Sequence, residues 1–352
     1  MTRADLERFA PRALIVAGGA AALFVVLALF DAADALRGLL AAFLACLSVP
    51  LGATVLLLIH RLTGGRWGEL AHGELATTAS GLFVTTLLFV PILFALPLVY
   101  PWAGNPAAVA HPDVARYYLN SAGFILRSVA ALGLFALFAW AFTRFRRPPL
   151  AVAGIGLFVY GLAISHGAVD WVLSLDPHFK NTAFAMSLAT SQLLSASAFM
   201  LLIRREDDQA TADLVRLSIA FALGLFYLDM MQLLVAYDGN LPSKAVWYLR
   251  RATPFWSGAI ALAFVGAVLV PFLAGLNPAW RIGRLRRAIG AAVLIGLLLR
   301  SLWLVLPEWD GGIGLWLGTL LALVAGVGLA IGVAFDPTRW SILPGRRLAH
   351  GA

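Results

Sequence analysis

The sequence predicts an all-α polytopic membrane protein of about ten transmembrane helices, folded as a single integral membrane domain over residues 1–352. Three observations predict it. Of the residues, 61% are hydrophobic and 12% charged, with a mean hydropathy of +0.87, a balance that soluble domains do not show. Apolar runs of about 20 residues, each long enough to cross roughly 30 Å of hydrocarbon, recur along the chain. The arginines behind the net charge of +8 gather in short loops between those runs, so they report topology and not a nucleic-acid-binding face.

The segments run, in order, over about 13–30, 37–60, 79–100, 121–143, 149–173, 182–203, 213–236, 254–275, 285–306 and 312–335. The first follows Arg3, Arg8 and Arg12, which makes a signal peptide the alternative; its length, with Asp31 and Asp34 just beyond it, favours a retained span. The second ends at His60. The third closes on Val99-Tyr100-Pro101-Trp102-Ala103, and the fourth opens after Tyr117-Tyr118-Leu119-Asn120, rings of the kind that settle at a membrane interface. Asp176-Pro177 ends the fifth, and Asn181 or Thr182 can cap the sixth. On the sixth, Ser187, Ser191 and Ser195 recur every four residues beside Gln192, a pattern of close packing with hydrogen bonds between helices. Gly154, Gly156 and Gly161 on the fifth, and Gly326, Gly328 and Gly332 on the tenth, are expected packing faces of the same kind. Between the seventh and eighth, residues 237–251 form a strongly patterned loop expected to dock a partner, through Asn240, Pro242, Trp247, Tyr248 and Arg250.

Counted by alternate loops, seventeen of the 26 Lys and Arg lie on the side of the termini and six on the other. Cytoplasmic loops carry the excess, so both termini are expected in the cytoplasm and the 163–185 stretch turns on the outer face. Arg144, Arg146 and Arg147, Arg204 and Arg205, and Arg281, Arg284, Arg286 and Arg287 supply much of that count.

Cys46 is the only cysteine, which excludes a disulfide framework, an iron–sulfur cluster or covalent haem within this chain. His166 is the only histidine well inside an apolar segment, so a bis-histidine haem has no second ligand. No Walker loop, dinucleotide fingerprint or His/Glu metal pattern occurs. No metal site, cofactor site or catalytic residue is therefore expected in this chain.

Its ionisable groups are few, and the densest set lies in residues 163–185. His166, Asp170 and Ser174 recur every four residues and so share one helix face near the outer end of the fifth segment, followed by Asp176 and His178. Two readings stand: a proton or ligand site beside the membrane surface, or a buried polar stripe that locks helices together. Arg127, Asp170, Asp229 and Arg300 each lie five to seven residues, about 8–10 Å, from the outer end of a span. An unpaired charge there costs at least about 2.5 kcal/mol, which predicts contacts between Arg127 and Asp170 and between Asp229 and Arg300, the second bundle repeating the first, with His166 one turn below Asp170.

Several motifs together carry a family likeness. They are Asp170-Trp171-Val172-Leu173-Ser174-Leu175-Asp176-Pro177-His178-Phe179-Lys180-Asn181-Thr182, Tyr100-Pro101-Trp102-Ala103, Tyr118-Leu119-Asn120 followed by Phe124-Ile125-Leu126-Arg127, and Gln232 with Asn240-Leu241-Pro242 and Trp247-Tyr248. Through them the chain resembles the ActF-type membrane subunit of alternative complex III, a bacterial quinol oxidoreductase, itself similar to NrfD-like (polysulfide-reductase-like) integral subunits. The likeness runs from about residue 60 to 310, with departures at Lys180-Asn181 and Ser243-Lys244. It implies two four-helix bundles, helices 2–5 and 6–9, flanked by helices 1 and 10. It also implies partners in the bacterial inner membrane: a homologous NrfD- or ActC-like membrane subunit, a periplasmic iron–sulfur subunit, c-type cytochrome subunits and lipids. Haem c, iron–sulfur clusters and quinol then belong to those partners, and a role in proton transfer falls to this chain.

The function expected on these grounds is a non-catalytic integral subunit of a quinol oxidoreductase. A stand-alone transporter or ion carrier is the alternative from another class, disfavoured by spans that read as mostly continuous. An NrfD-like subunit that itself binds quinone is the third, since His166 and Asp170 suit that chemistry.

Overall fold

The computed structural model describes residues 3–109, 111–145, 147–204, 208–277 and 282–336, all helix and loop, with no strand among them. Arg146, Arg205, Arg281 and the arginines of the C-terminal tail lie outside the described residues. Among the described residues, ten helices are long and apolar enough to cross a membrane: α1 (Arg3–Phe30), α2 (Ala32–Thr63), α3 (Arg66–Phe94), α4 (Ser121–Arg144), α5 (Leu150–Leu175), α6 (Phe184–Ile203), α7 (Gln209–Asp238), α8 (Pro254–Leu276), α9 (Gly283–Glu308) and α10 (Ile313–Ala334). The protein is thus an all-α polytopic membrane protein. Its two ends of α1 and α10 lie on one side, termed here the basic side; the longer loops lie on the other, the loop-rich side.

Helices α2–α5 pack as one four-helix bundle and α6–α9 as a second, joined along α2 and α6, while α1 and α10 lie together against α2. In lipid there is no hydrophobic drive between helices, so close approach depends on small residues. Gly52 of α2 shows the requirement most sharply: a Cβ there would stand 1.9 Å from the Gln192 carbonyl oxygen of α6. Gly290 likewise brings α9 close to α6, with 2.6 Å from such a Cβ to the Ala198 carbonyl oxygen, and Gly328 and Gly332 seat α10 on α1. The α10 glycines are the packing face the sequence predicts. On α5 only Gly156 is, facing Leu58 and Phe138; Gly154 and Gly161 look into open space.

Three spans are less regular than the sequence suggests. Helix α3 begins at Arg66, well before the predicted 79, because Glu69, Glu74, Thr77, Thr78 and Ser80 form its first four turns instead of a loop. Gly64 and Gly65, at φ 71° and 103°, make the tight turn that lets it start there. Its far half then passes through a 3-10 turn at Thr86–Phe89. Pro91 explains that turn, since its ring clashes with the carbonyl four residues back, at Leu87. Helix α8 contains a π-turn at Val265–Leu269, and Pro271 stands four residues after Ala267 in the same relation. Helix α5 carries a π-turn at Ala168–Val172, around Asp170, with no proline in reach.

The core of the first bundle is aromatic on the loop-rich side, where Phe43, Phe89, Tyr100, Trp102, Phe124 and Trp171 are buried together. That of the second is built from smaller side chains such as Ala198, Ala267 and Val293. The charged groups described next sit over these two cores.

Candidate functional site

Asn120 sets the geometry of the first group. Its side chain accepts from the Gly123 N–H at 2.8 Å and caps α4, which fixes the 117–120 loop over the helix end. Arg127 then reaches both ways. Its Nε and Nη2 donate to the Asp170 carboxylate at 2.8 and 3.0 Å, a bidentate fork, while Nη2 also donates to the Tyr118 carbonyl at 2.9 Å. The guanidinium lies 3.9 Å from the centre of the Tyr118 ring. The Tyr118 hydroxyl meets His166 Nδ1 at 3.0 Å. Burial first, and the Asp170 carboxylate next, push the Tyr118 phenol up to about 12, so it holds its proton throughout the physiological range.

Around Asp170 the π-turn decides which way side chains point. Asp170 is 2% exposed and faces the bundle, and Ser174 donates to the Asp170 backbone carbonyl at 2.5 Å. His166 is exposed on the outside of α5. The single face predicted for His166, Asp170 and Ser174 is therefore split, because a π-turn shifts the residues beyond it around the helix. The hydrogen bond from Tyr118 to His166 reconnects the imidazole to the charge pair. Trp171 closes the inner side, its Nε1 donating to Ser128 at 3.1 Å and its carbonyl accepting from the Tyr100 hydroxyl at 3.3 Å.

The second predicted pair is present as well. Arg300 Nε and Nη2 donate to Asp229 at 2.7 and 2.8 Å, and Ser187 bridges the two, donating to Asp229 and accepting from Arg300, each at 2.5 Å. It is an inverted counterpart of the first group and not a copy. In the first the aspartate is buried and the arginine 20% exposed; in the second the arginine is 7% exposed and the aspartate 37%. The first joins neighbouring helices α4 and α5, the second α7 and α9. Beside it Asn181 donates to Gln232, whose Nε2 is buried without a partner among the described residues. Gln192 accepts from the Tyr160 hydroxyl at 2.6 Å, while Ser191 and Ser195 turn back to carbonyls of their own helix.

The residues of the expected docking loop divide between the surface and the interior. Asn240, at φ +43°, and Pro242 are exposed, but Trp247 is buried against this chain, stacked on Phe179 at 4.3 Å, with Tyr248 edge-on beside them. Arg250 pairs with Glu308 and approaches Asp176 at 3.5 Å, and Asp176 in turn accepts from the His178 backbone N–H. The amphipathic helix Pro242–Arg250 turns Trp247 inward and leaves Asn240, Pro242 and Arg250 exposed, together with Val246 and Leu249.

Three arginines have partners that the sequence reading did not assign. The Arg251 side chain is fully buried, stacked 3.5 Å from the Trp247 ring centre and paired with Glu308. Burial pulls its guanidinium below the usual value, with Glu308 opposing. The four-residue step from Trp247 to Arg251 is the signal that could have found it. On the basic side Arg204 joins Glu74 and Asp208, and Arg286 donates to the carbonyls of Leu201 and Arg204.

Two kinds of chemistry are open to the first group: a clamp, and a short proton relay in which the Asp170 carboxyl and the His166 imidazole flank a neutral phenol. Among the described residues no three His, Cys, Asp or Glu are grouped so as to hold a metal ion. Compared with known proteins, the chain matches no family model and no curated protein.

Proposed function

We propose that this chain is an integral subunit of a bacterial quinol oxidoreductase complex of the alternative complex III type, holding redox partners on the loop-rich face and lining a proton path beside them. The observation that carries the reading is the linked series Asp170, Arg127, Tyr118 and His166, which runs from a buried carboxylate to an exposed imidazole just below that face. The resemblance in residues 170–182 supports the same assignment. On this reading the loop-rich face is periplasmic, the termini are cytoplasmic, and haem c, iron–sulfur clusters and quinol belong to partner subunits, one of them a homologous membrane subunit.

The test is affinity purification from native membranes followed by haem and iron measurement. Co-purified haem- and iron-bearing subunits are expected with the complex; the isolated chain is expected to show no haem spectrum and no quinol oxidation. Quinol oxidation by the purified single chain would overturn the proposal. A second reading, a stand-alone transporter, draws support from the interrupted α3 and the π-turns of α5 and α8. It predicts a chain that purifies without redox partners. An NrfD-like quinone site draws support from His166 and Tyr118 at the membrane-facing surface, and predicts quinone retained by the isolated chain.

A further inference from the structure

Helices α9 and α10 follow each other in sequence but scarcely touch. The gap between them is floored by α2 and α6 and forms a cavity of about 250 Å³, bordered by Cys46, Pro50, Ser195, Leu298, Val327 and Ile331. Its mouth is on the lipid-facing surface, where Val327 is 46% exposed. The walls offer a ligand almost nothing polar: the hydroxyls of Ser48, Thr78, Ser195 and Ser301 are all spent on carbonyls of their own helices. Such a space excludes water, which needs two or more polar partners.

Its length and section fit one hydrocarbon chain. Along α10 the lining runs from Leu323 to Phe335, about 18 Å at 1.5 Å per residue, comparable with one leaflet of a roughly 30 Å hydrocarbon core. The volume holds roughly eight methylene-sized groups, taking about 30 Å³ each, which is about half of one acyl chain, so the slot takes part of a single chain and has no room for a pair.

The head of the occupant is indicated by Arg287. Residues 287, 294, 298 and 301 fall on one face of α9, so Arg287 stands on the stripe that walls the cavity, about 10 Å nearer the basic side than Leu294. Its Nε is buried and has no hydrogen-bond partner among the described residues. A guanidinium whose Nε is left unpaired among the described residues, at the headgroup level and on the same helix stripe as the slot, matches an anionic phospholipid in charge and reach.

We infer that the α9–α10 slot is a binding site for one anionic phospholipid of the leaflet on the basic side, with an acyl chain between the helices and the phosphate on Arg287. The full chain, reconstituted in nanodiscs of equal phosphatidylglycerol and phosphatidylcholine and then stripped by detergent, is examined by native mass spectrometry with lipid extraction. One retained phosphatidylglycerol per chain is expected. Val327→Trp and Leu298→Trp, on opposite walls, should each abolish its retention; Val327 lies on the exposed rim, so that variant has room to fold. Arg287→Gln should keep a lipid but lower the preference for phosphatidylglycerol about five-fold. Unchanged retention in folded Val327→Trp, an unchanged preference in Arg287→Gln, or an isoprenoid quinone from native membranes in place of phospholipid would each overturn the inference.

Discussion

Asp170 and His166 lie one helical turn apart, yet they are separable by mutation because one is buried and the other is not. Asp170→Asn keeps the shape but leaves Arg127 facing a neutral amide in the membrane. Breaking one partner of a buried pair typically costs about 3–5 kcal/mol, so a fall in thermal stability and loss of the assembled complex are expected if the pair is chiefly a clamp. His166→Phe removes the imidazole from an exposed site, where substitutions usually stay within about 0.5 kcal/mol. If the series is a proton path, His166→Phe should leave assembly intact and impair proton-coupled turnover in proteoliposomes. Turnover at the wild-type rate in that variant would leave the clamp alone. A different carboxylate serves as the pH probe. Desolvation opposes ionisation of Asp208, but the Thr211 N–H and hydroxyl and Arg204 outweigh it and hold the carboxyl below the usual range. A depressed folded value means that Asp208 contributes stability above the unfolded value of about 3.9, and that this contribution is lost as pH falls through the lower folded one. The melting-temperature gap between wild type and Asp208→Asn should therefore be constant near neutrality and close below about pH 4. Both deep pairs were legible in the sequence because charges within spans are so scarce that each must find the other at its own depth. The outward turn of His166 was not, because nothing in residues 163–176 announces a π-turn; nor was Glu308, whose partner Arg251 is distant in sequence and looked like an ordinary loop charge.

Helix boundaries and faces show the same division. All ten spans were legible from apolar length, yet the start of α3 was misplaced because its first turns carry glutamates, threonines and a serine. All but the exposed Glu69 are accommodated by the protein: Glu74 pairs with Arg204 at 3.2 Å, and the Thr77, Thr78 and Ser80 hydroxyls bond carbonyls of the preceding turn. Polarity that would mark a loop in isolation is thus satisfied within a helix. Glycine spacing alone likewise fails to say which glycines are in contact, since a lipid-facing glycine and a packed one read alike. The contrast is measurable. Gly161→Ala, with nothing within 4 Å of the new Cβ, should leave the melting temperature unchanged or slightly raised. Gly290→Ala would place a methyl 2.6 Å from the Ala198 carbonyl oxygen and separate α9 from α6. Overpacking of that kind costs about 1–3 kcal/mol, so a lowered melting temperature is expected. Equal melting temperatures for the two variants would show that the α6–α9 contact is not tight.

At the scale of the whole molecule, the arrangement of charge across the membrane ties the fold to its orientation. The basic side carries the arginine-rich ends of α2, α4, α6 and α9, while the loop-rich side carries the aromatic and ion-paired surface around Asp176, Arg250 and Glu308. Cytoplasmic loops retain lysine and arginine because translocating them is unfavourable, and the bias of seventeen to six is large for short loops. The orientation can be read directly because Cys46 is the only cysteine and is buried, giving a low labelling background. Arg284→Cys and Asn240→Cys place a thiol at exposed positions on opposite sides. With an impermeant maleimide on intact cells, Asn240→Cys should label and Arg284→Cys should label only after the membrane is opened. The reverse pattern would put the paired charges near the cytoplasm, and with them His166 and the Asp176 network. A proton path to the periplasm would then be impossible from this end of the bundles, so the labelling experiment bears on function as directly as on topology.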